Sequence, residues 1–202
     1  MTVTAGHASV AARGAASGAV AEAVPAGPVP LGPGLHRSLV VATSLLVSVM
    51  AALDATIVTV ALPHIQGSLA ATADSVTWVV TMYTIGMAFA TALTGRIADC
   101  FGRKRVMIAA VAGFTALSVL CGLATSLDEM LVLRFCQGLF AAPLIPLSQA
   151  VLVDAYPPDE RTHGMAIWGV GVMAGPAVGP ALGGWLTQTF EWRWIFFINL
   201  PV

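Results

Sequence analysis

Residues 39–62 read LVVATSLLVSVMAALDATIVTVAL, an apolar run with a single charge, Asp54, and with Pro63 directly behind it. At about 1.5 Å per residue, a helix of this length crosses a hydrocarbon core of about 30 Å with some tilt. Pro63 marks the expected end of that helix. Four further runs of comparable length follow: about Val76 to Gly95, Val106 to Thr125, Met130 to about Val153, and Met165 to Thr187. A sixth opens with Trp194-Ile-Phe-Phe-Ile-Asn-Leu-Pro-Val202 and reaches about halfway across a bilayer. The expected fold is all-α, a polytopic transmembrane helix bundle of five full spans plus the start of a sixth, in a chain that reads as an amino-terminal fragment.

Composition supports this. The 202 residues are 57% apolar and 9% charged, against about 25% charged in soluble domains, and the mean hydropathy is +0.86. A net charge of −1 with nine scattered cations offers no electrostatic footprint for nucleic acid. Cys100, Cys121 and Cys136 lack the spacing of a zinc site or disulfide framework and read as small apolar residues, so no metal or other cofactor is expected. Residues 1–36 are small and unpatterned and are expected to form a disordered cytoplasmic tail, with 37–202 as the membrane bundle. Arg13, Arg37, Arg96, Arg103, Lys104, Arg105 and Arg161 all fall in the tail or in the second and fourth connections, whereas only Arg193 falls on the opposite side. That bias places the amino terminus in the cytoplasm of a multi-pass inner (plasma) membrane protein.

Two charges lie inside spans. Asp54 falls roughly 22 Å along the first helix, in its outer third, and Arg134 about 6 Å inside the outer end of the fourth. An ionised side chain in hydrocarbon costs at least about 2.5–3.5 kcal/mol and needs a partner or water. A carboxylate and a guanidinium at matching depth make a natural pair, and an acid that trades its arginine for a proton makes a natural coupling site. The same residues are also consistent with a purely structural pair, or with Arg134 snorkelling to the interface.

In the fifth span Gly171, Gly175, Gly179 and Gly183 recur every fourth residue, with Pro176 and Pro180 after two of them. Such a run forms a groove for close approach of another backbone, here expected to be the missing half of the protein. The prolines free carbonyls and favour a bend. The second connection, Gly95-Arg-Ile-Ala-Asp99-Cys-Phe-Gly102-Arg103-Lys104-Arg105, combines a glycine suited to ending a helix, a second suited to a positive-φ turn, and a basic triplet. Asp99 is expected to pair with Arg103 or with a helix amino terminus from the missing half.

Taken together these stretches resemble the amino-terminal part of a major facilitator superfamily transporter of the fourteen-helix drug:proton antiporter type. Leu53 to Pro63 resembles the first-helix motif of that subgroup, Gly95 to Arg105 the loop motif, and Arg134, Gln137 and Gly138 the fourth-helix motif. Gly171 to Gly184 resembles the helix-five antiporter motif, and Trp192 to Pro201, including Asn199, the start of helix six. Thr59 stands where the subgroup usually has Asn, and Cys100 where the loop motif usually has a basic residue. The resemblance implies two six-helix halves alternating between inward-open and outward-open states, with substrate bound near the midplane between them. It implies Asp54 and Arg134 as the proton-coupling or cavity pair, Gly95, Asp99, Gly102 and Arg103 as the gating loop, and Gly171, Gly175, Pro176, Gly179 and Gly183 as the packing and antiport helix.

The expected function is proton-coupled export of small amphipathic molecules or drugs, with a small-molecule substrate, protons, the lipid bilayer and the missing carboxyl-terminal half as partners. The alternatives are a facilitator or importer of another solute, or an inactive truncated membrane protein. An intramembrane enzyme is disfavoured, because His64 and His163 are expected in connections on opposite sides of the membrane and no His is expected inside a span, so nothing supports metal chemistry. No P-loop is present to bind ATP.

Overall fold

The computed structural model describes residues 34–201, so the expected tail lies outside the described residues up to position 33, and Leu35 already begins the first helix. Seven helices follow: α1 Leu35–Ser68, α2 Ala73–Phe101, α3 Arg103–Leu123, α4 Leu127–Ala141, α5 Leu144–Ala155, α6 Arg161–Thr189 and the short α7 Trp194–Phe197. With α4 and α5 taken as one span, Leu127–Ala155, five stretches are long and apolar enough to cross a membrane.

Three local expectations are corrected. Pro63 does not stop α1, which continues to Ser68; the proline only deprives the Thr59 carbonyl of its helical donor. Gly95 does not end α2 either. A glycine inside a helix costs about 1 kcal/mol but does not enforce a break, and the chain remains helical to Phe101. The turn to α3 is made by Gly102 alone, at φ +86°, where a side chain would be strained. The fourth span is interrupted: Pro143 is the amino-terminal cap residue of α5, after a turn at Ala142 and Pro143 that ends α4.

Helix starts follow local chemistry where the sequence supplies it. Thr72 and Ser75 form a reciprocal capping box at the head of α2, and Ser126 caps α4 through the Glu129 N–H.

The bundle is held by two extensive helix pairs, α2 on α4 and α1 on α6. Glycine decides both. A Cβ on Gly86 would overlap the Phe135 carbonyl, and one on Gly138 would overlap the Tyr83 carbonyl, so α2 and α4 touch backbone to backbone. On α6, a Cβ on Gly175 would lie 3.0 Å from Ala52 Cβ and from the Leu53 nitrogen, while Gly171 faces Leu45, Gly179 faces Thr56, and Gly183 faces Ile57. The fourfold glycine face is therefore filled by α1 of the same bundle, and not by a missing half. α1 meets that line with Ala52, Thr56 and backbone atoms in the middle and with the Leu45 and Ile57 side chains at the two ends.

Two apolar clusters form the core. One gathers Ile57, Val58, Ala61, Ile65, Val79, Met130, Ile195 and Phe196 among its members, and the other Val47, Met50, Ala51, Tyr83, Phe114 and Leu144. Asp54 lies in sequence between the α1 residues of these clusters, and that is where the polar groups collect.

Candidate functional site

Asp54 and Arg134 meet. Arg134 Nη1 donates to Asp54 Oδ2 at 3.0 Å, and the two side chains are 0% and 1% exposed. α1 delivers the acid and α4 the base at the level where Gly86 and Gly138 bring α2 and α4 together, so the long arginine lies between packed helices. Its guanidinium carbon is 4.5 Å from the Tyr83 ring centroid and 5.5 Å from that of Phe196, one aromatic from each apolar cluster. Stacking of this kind suits a weakly hydrated planar cation in a desolvated place.

Further side chains complete the cluster. Gln137, one helical turn from Arg134 and thus on the same face, accepts from Arg134 Nη1 at 2.7 Å and donates to Asp54 Oδ1 at 3.4 Å. Asn199, from the turn after α7, donates to Asp54 Oδ1 at 3.0 Å and to Ser118 Oγ at 2.9 Å. Ser118 in turn donates to the Phe196 carbonyl at 2.8 Å, and the Cys121 thiol lies 3.6 Å from Gln137 Oε1. Arg134 Nε has no partner, the one such buried side-chain nitrogen or oxygen among the described residues. Desolvating two opposite charges costs several kcal/mol each, and their attraction offsets this only when the remaining hydrogen-bonding capacity is also met. Gln137, Asn199 and Ser118 supply most of that capacity.

The turn that carries Asn199 is itself clamped. Arg193 Nη1 donates to the carbonyls of Gly122 at 2.7 Å and Ala124 at 3.0 Å, closing the carboxyl end of α3. Trp192 packs edge-on against Phe196. This clamp was not apparent from the sequence, where Arg193 counted only as a charge outside the spans.

The loop-motif residues lie apart from this cluster, at the other end of the bundle. Gly95 and Asp99 are exposed. Asp99 makes no ion pair among the described residues, so of its two expected partners Arg103 is not the one taken, and a helix amino terminus from elsewhere in the protein lies outside this chain. Arg103 pairs instead with Asp154 at the end of α5, Nη1 to Oδ2 at 2.9 Å: it opens α3, and its side chain extends across to the neighbouring helix end. At the same end Arg37 pairs with Glu160 and stacks 4.0 Å over the Tyr156 ring. Thr59 is exposed and bonds back to the Thr56 carbonyl at 2.6 Å, so this departure from the subgroup pattern does not touch the Asp54 cluster. Among the described residues no group of His, Cys, Asp and Glu is arranged to hold a metal ion.

Comparison with known proteins gives a consistent picture. Residues 44–202 match the family model of the Major Facilitator Superfamily. The chain is 43% identical over 175 residues to the probable multidrug resistance protein EmrY of Escherichia coli (strain K12), covering 87% of this chain and 34% of that protein. It is 44% identical over 153 residues to the fatty acid resistance protein FarB of Neisseria gonorrhoeae, covering 76% of this chain and 30% of FarB. With the multidrug export protein EmrB of E. coli (strain K12) it shares 39% identity over 157 residues, 78% of this chain and 31% of EmrB. The chain thus spans about a third of the length of these relatives. Among solved structures, a bacterial homologue of the human lysosomal transporter Spinster matches with a TM-score of 0.64 at 23% identity, over 83% of this chain and 41% of the other, a likeness of fold.

Proposed function

The chain belongs to the Major Facilitator Superfamily, and from that membership we propose that it forms the amino-terminal bundle of a secondary transporter that exports small amphipathic molecules in exchange for protons. The observation that carries this reading is the buried Asp54–Arg134 pair, at 3.0 Å, with both side chains out of contact with solvent. A purely structural helix contact gains little from such a pair, because apolar residues of similar volume serve as well or better. A carboxylate held by an arginine, by contrast, has two states to offer: bonded to the cation, or neutralised by a proton with the cation released. Arg134 Nε, already short of a partner, belongs to a group that must rearrange when the acid is neutralised. Multidrug resistance and export in the names of the relatives favour amphipathic drugs as the substrate class.

The remaining helices of the transport path correspond, in this proposal, to the other two-thirds of the relatives. The amino terminus faces the cytoplasm, on the strength of the Lys and Arg bias. A cysteine introduced at Gly67, beyond the far end of the first apolar run, is then expected to react with an impermeant thiol reagent added outside the cell; reaction from the cytoplasmic side alone would reverse the topology.

The functional test is transport in sealed vesicles that hold the full-length transporter containing this bundle. Export of a fluorescent lipophilic cation should follow an imposed pH gradient. In Asp54→Asn the response to the gradient should drop to background. A facilitator would move the cation down its own gradient with equal speed in both proteins, and an inactive fragment would move none in either.

A further inference from the structure

Asp54 accepts from three donors: Arg134 Nη1 at 3.0 Å, Asn199 Nδ2 at 3.0 Å and Gln137 Nε2 at 3.4 Å. All three bonds are made to the anion. A neutral acid carries a donor of its own, and these three partners as they stand present it with donors rather than an acceptor. For the new donor to be met within this cluster, one of the three must turn an acceptor toward it. The guanidinium has none. Gln137 Oε1 already accepts from Arg134 at 2.7 Å and lies 3.6 Å from the Cys121 thiol, so turning that amide over breaks both contacts.

Asn199 has less to lose. Besides its bond to Asp54 its amide nitrogen makes one other, to Ser118 Oγ at 2.9 Å. The Ser118 hydroxyl now donates to the Phe196 carbonyl at 2.8 Å, and a rotation about its C–O bond lets it donate to an amide oxygen instead. The two ends of an asparagine amide are nearly equal in size, so exchanging them needs no extra room.

We propose that Asn199 is the positioning residue that registers the proton on Asp54: it donates to the carboxylate, turns its amide over to accept from the neutral acid, and thereby draws the Ser118 hydroxyl off the Phe196 carbonyl. This rests on the reading of Asp54 as the exchanging carboxylate. A hydronium ion gives its proton to Asp54 and becomes water, so one O–H bond breaks as the carboxyl O–H bond forms, and the reverse step restores both. The consequence falls on α7 and the turn after it. Their tie from Phe196 to α3 is released, while Arg193, bonded to Gly122 and Ala124, stays as the fixed point. A local change of charge thus becomes a change in how the start of the sixth span is held.

The charged or titratable groups around Asp54 are Arg134 from α4, Tyr83 from α2 and Cys121 from α3. α6 meets α1 with glycine, α5 meets it with Ser148 at Ser48, and the α7 turn brings Phe196 and Asn199, none of which titrates.

Asn199 is the only asparagine in the sequence, so a chain labelled with [15N]asparagine gives a single side-chain NH2 signal. The labelled chain in lipid vesicles is titrated while infrared spectra follow the carbonyl band of a protonated carboxyl, assigned to Asp54 by its loss in Asp54→Leu. The expected result is that the NH2 signal and the carboxyl band change over the same pH range, and that in Asp54→Leu the NH2 signal no longer responds. A carboxyl band that rises while the Asn199 signal stays fixed would overturn the role of Asn199 and leave the role of Asp54 standing. No carboxyl band at any pH would overturn both. In Asn199→Leu, assembled for transport, the band should persist while pH-driven exchange falls at least tenfold; wild-type exchange in that variant would also overturn the proposal. Where Asn199→Leu fails to reach the membrane, the labelled wild type decides alone.

Discussion

Arg134→Ala is expected to destabilise the bundle by about 3–5 kcal/mol, the usual cost of removing one member of a buried ion pair. The arginine also fills the space between Tyr83 and Phe196, so its removal opens a void as well as stranding Asp54, which is 0% exposed. The measurement is the thermal unfolding midpoint in detergent, with a double-mutant cycle to separate the two losses. Asp54→Leu combined with Arg134→Met should recover most of the stability, since apolar groups of similar volume replace a buried pair at little cost. That double variant should be stable and inactive in pH-driven transport. If it is as unstable as Arg134→Ala, the loss comes from packing and the pair contributes nothing to stability.

Gly175→Leu is the second large effect. A Cβ there already comes within 3.0 Å of the Leu53 nitrogen and Ala52 Cβ and 3.2 Å of the Val49 carbonyl, and leucine adds three further carbons to that contact. α6 is joined to the bundle chiefly along this glycine face, and Val170, Met173, Val178 and Trp185 on its other sides are exposed. Overpacking a tight contact commonly costs about 1–3 kcal/mol and more when backbone must move; here α6 should separate from α1, and transport should be lost with the protein still in the membrane. Gly169→Leu is the matched control on the same helix, because nothing lies within 4 Å of a Cβ at that position. Equal activity in the two variants would mean that the α1–α6 contact is idle.

Much of this architecture was legible in residue order alone, because hydropathy acts over twenty residues and tolerates local error. The five spans and the meeting of Asp54 with Arg134 both follow from counting 1.5 Å per residue against a bilayer. Endings were less legible. Pro63 and Gly95 weaken a helix without terminating it, and packing of the neighbouring turns decides the outcome, whereas Pro143 does interrupt its span. Partners of long side chains were least legible. Asp99 is four residues from Arg103 in sequence, yet the arginine pairs with Asp154, which only the tertiary arrangement brings near. The glycine run was correctly a contact face, but its partner, α1, could not be read from spacing, since any helix with small groups at that register would fit. Asn199 and Gln137 were visible as motif residues; what placed them on Asp54 was the Arg193 clamp for one and the shared face with Arg134 for the other.

The exchange of a proton at Asp54 for substrate is tested most directly by counting protons. Vesicles holding the assembled transporter are suspended in weakly buffered medium, a lipophilic cation is added with no pH gradient imposed, and the proton movement that accompanies its transport is recorded. Wild type should show proton movement opposite to the cation, and Asp54→Asn should show none, even where cation exchange itself continues. Proton movement of the same size in Asp54→Asn would contradict the assignment and place the coupling carboxylate outside this buried cluster.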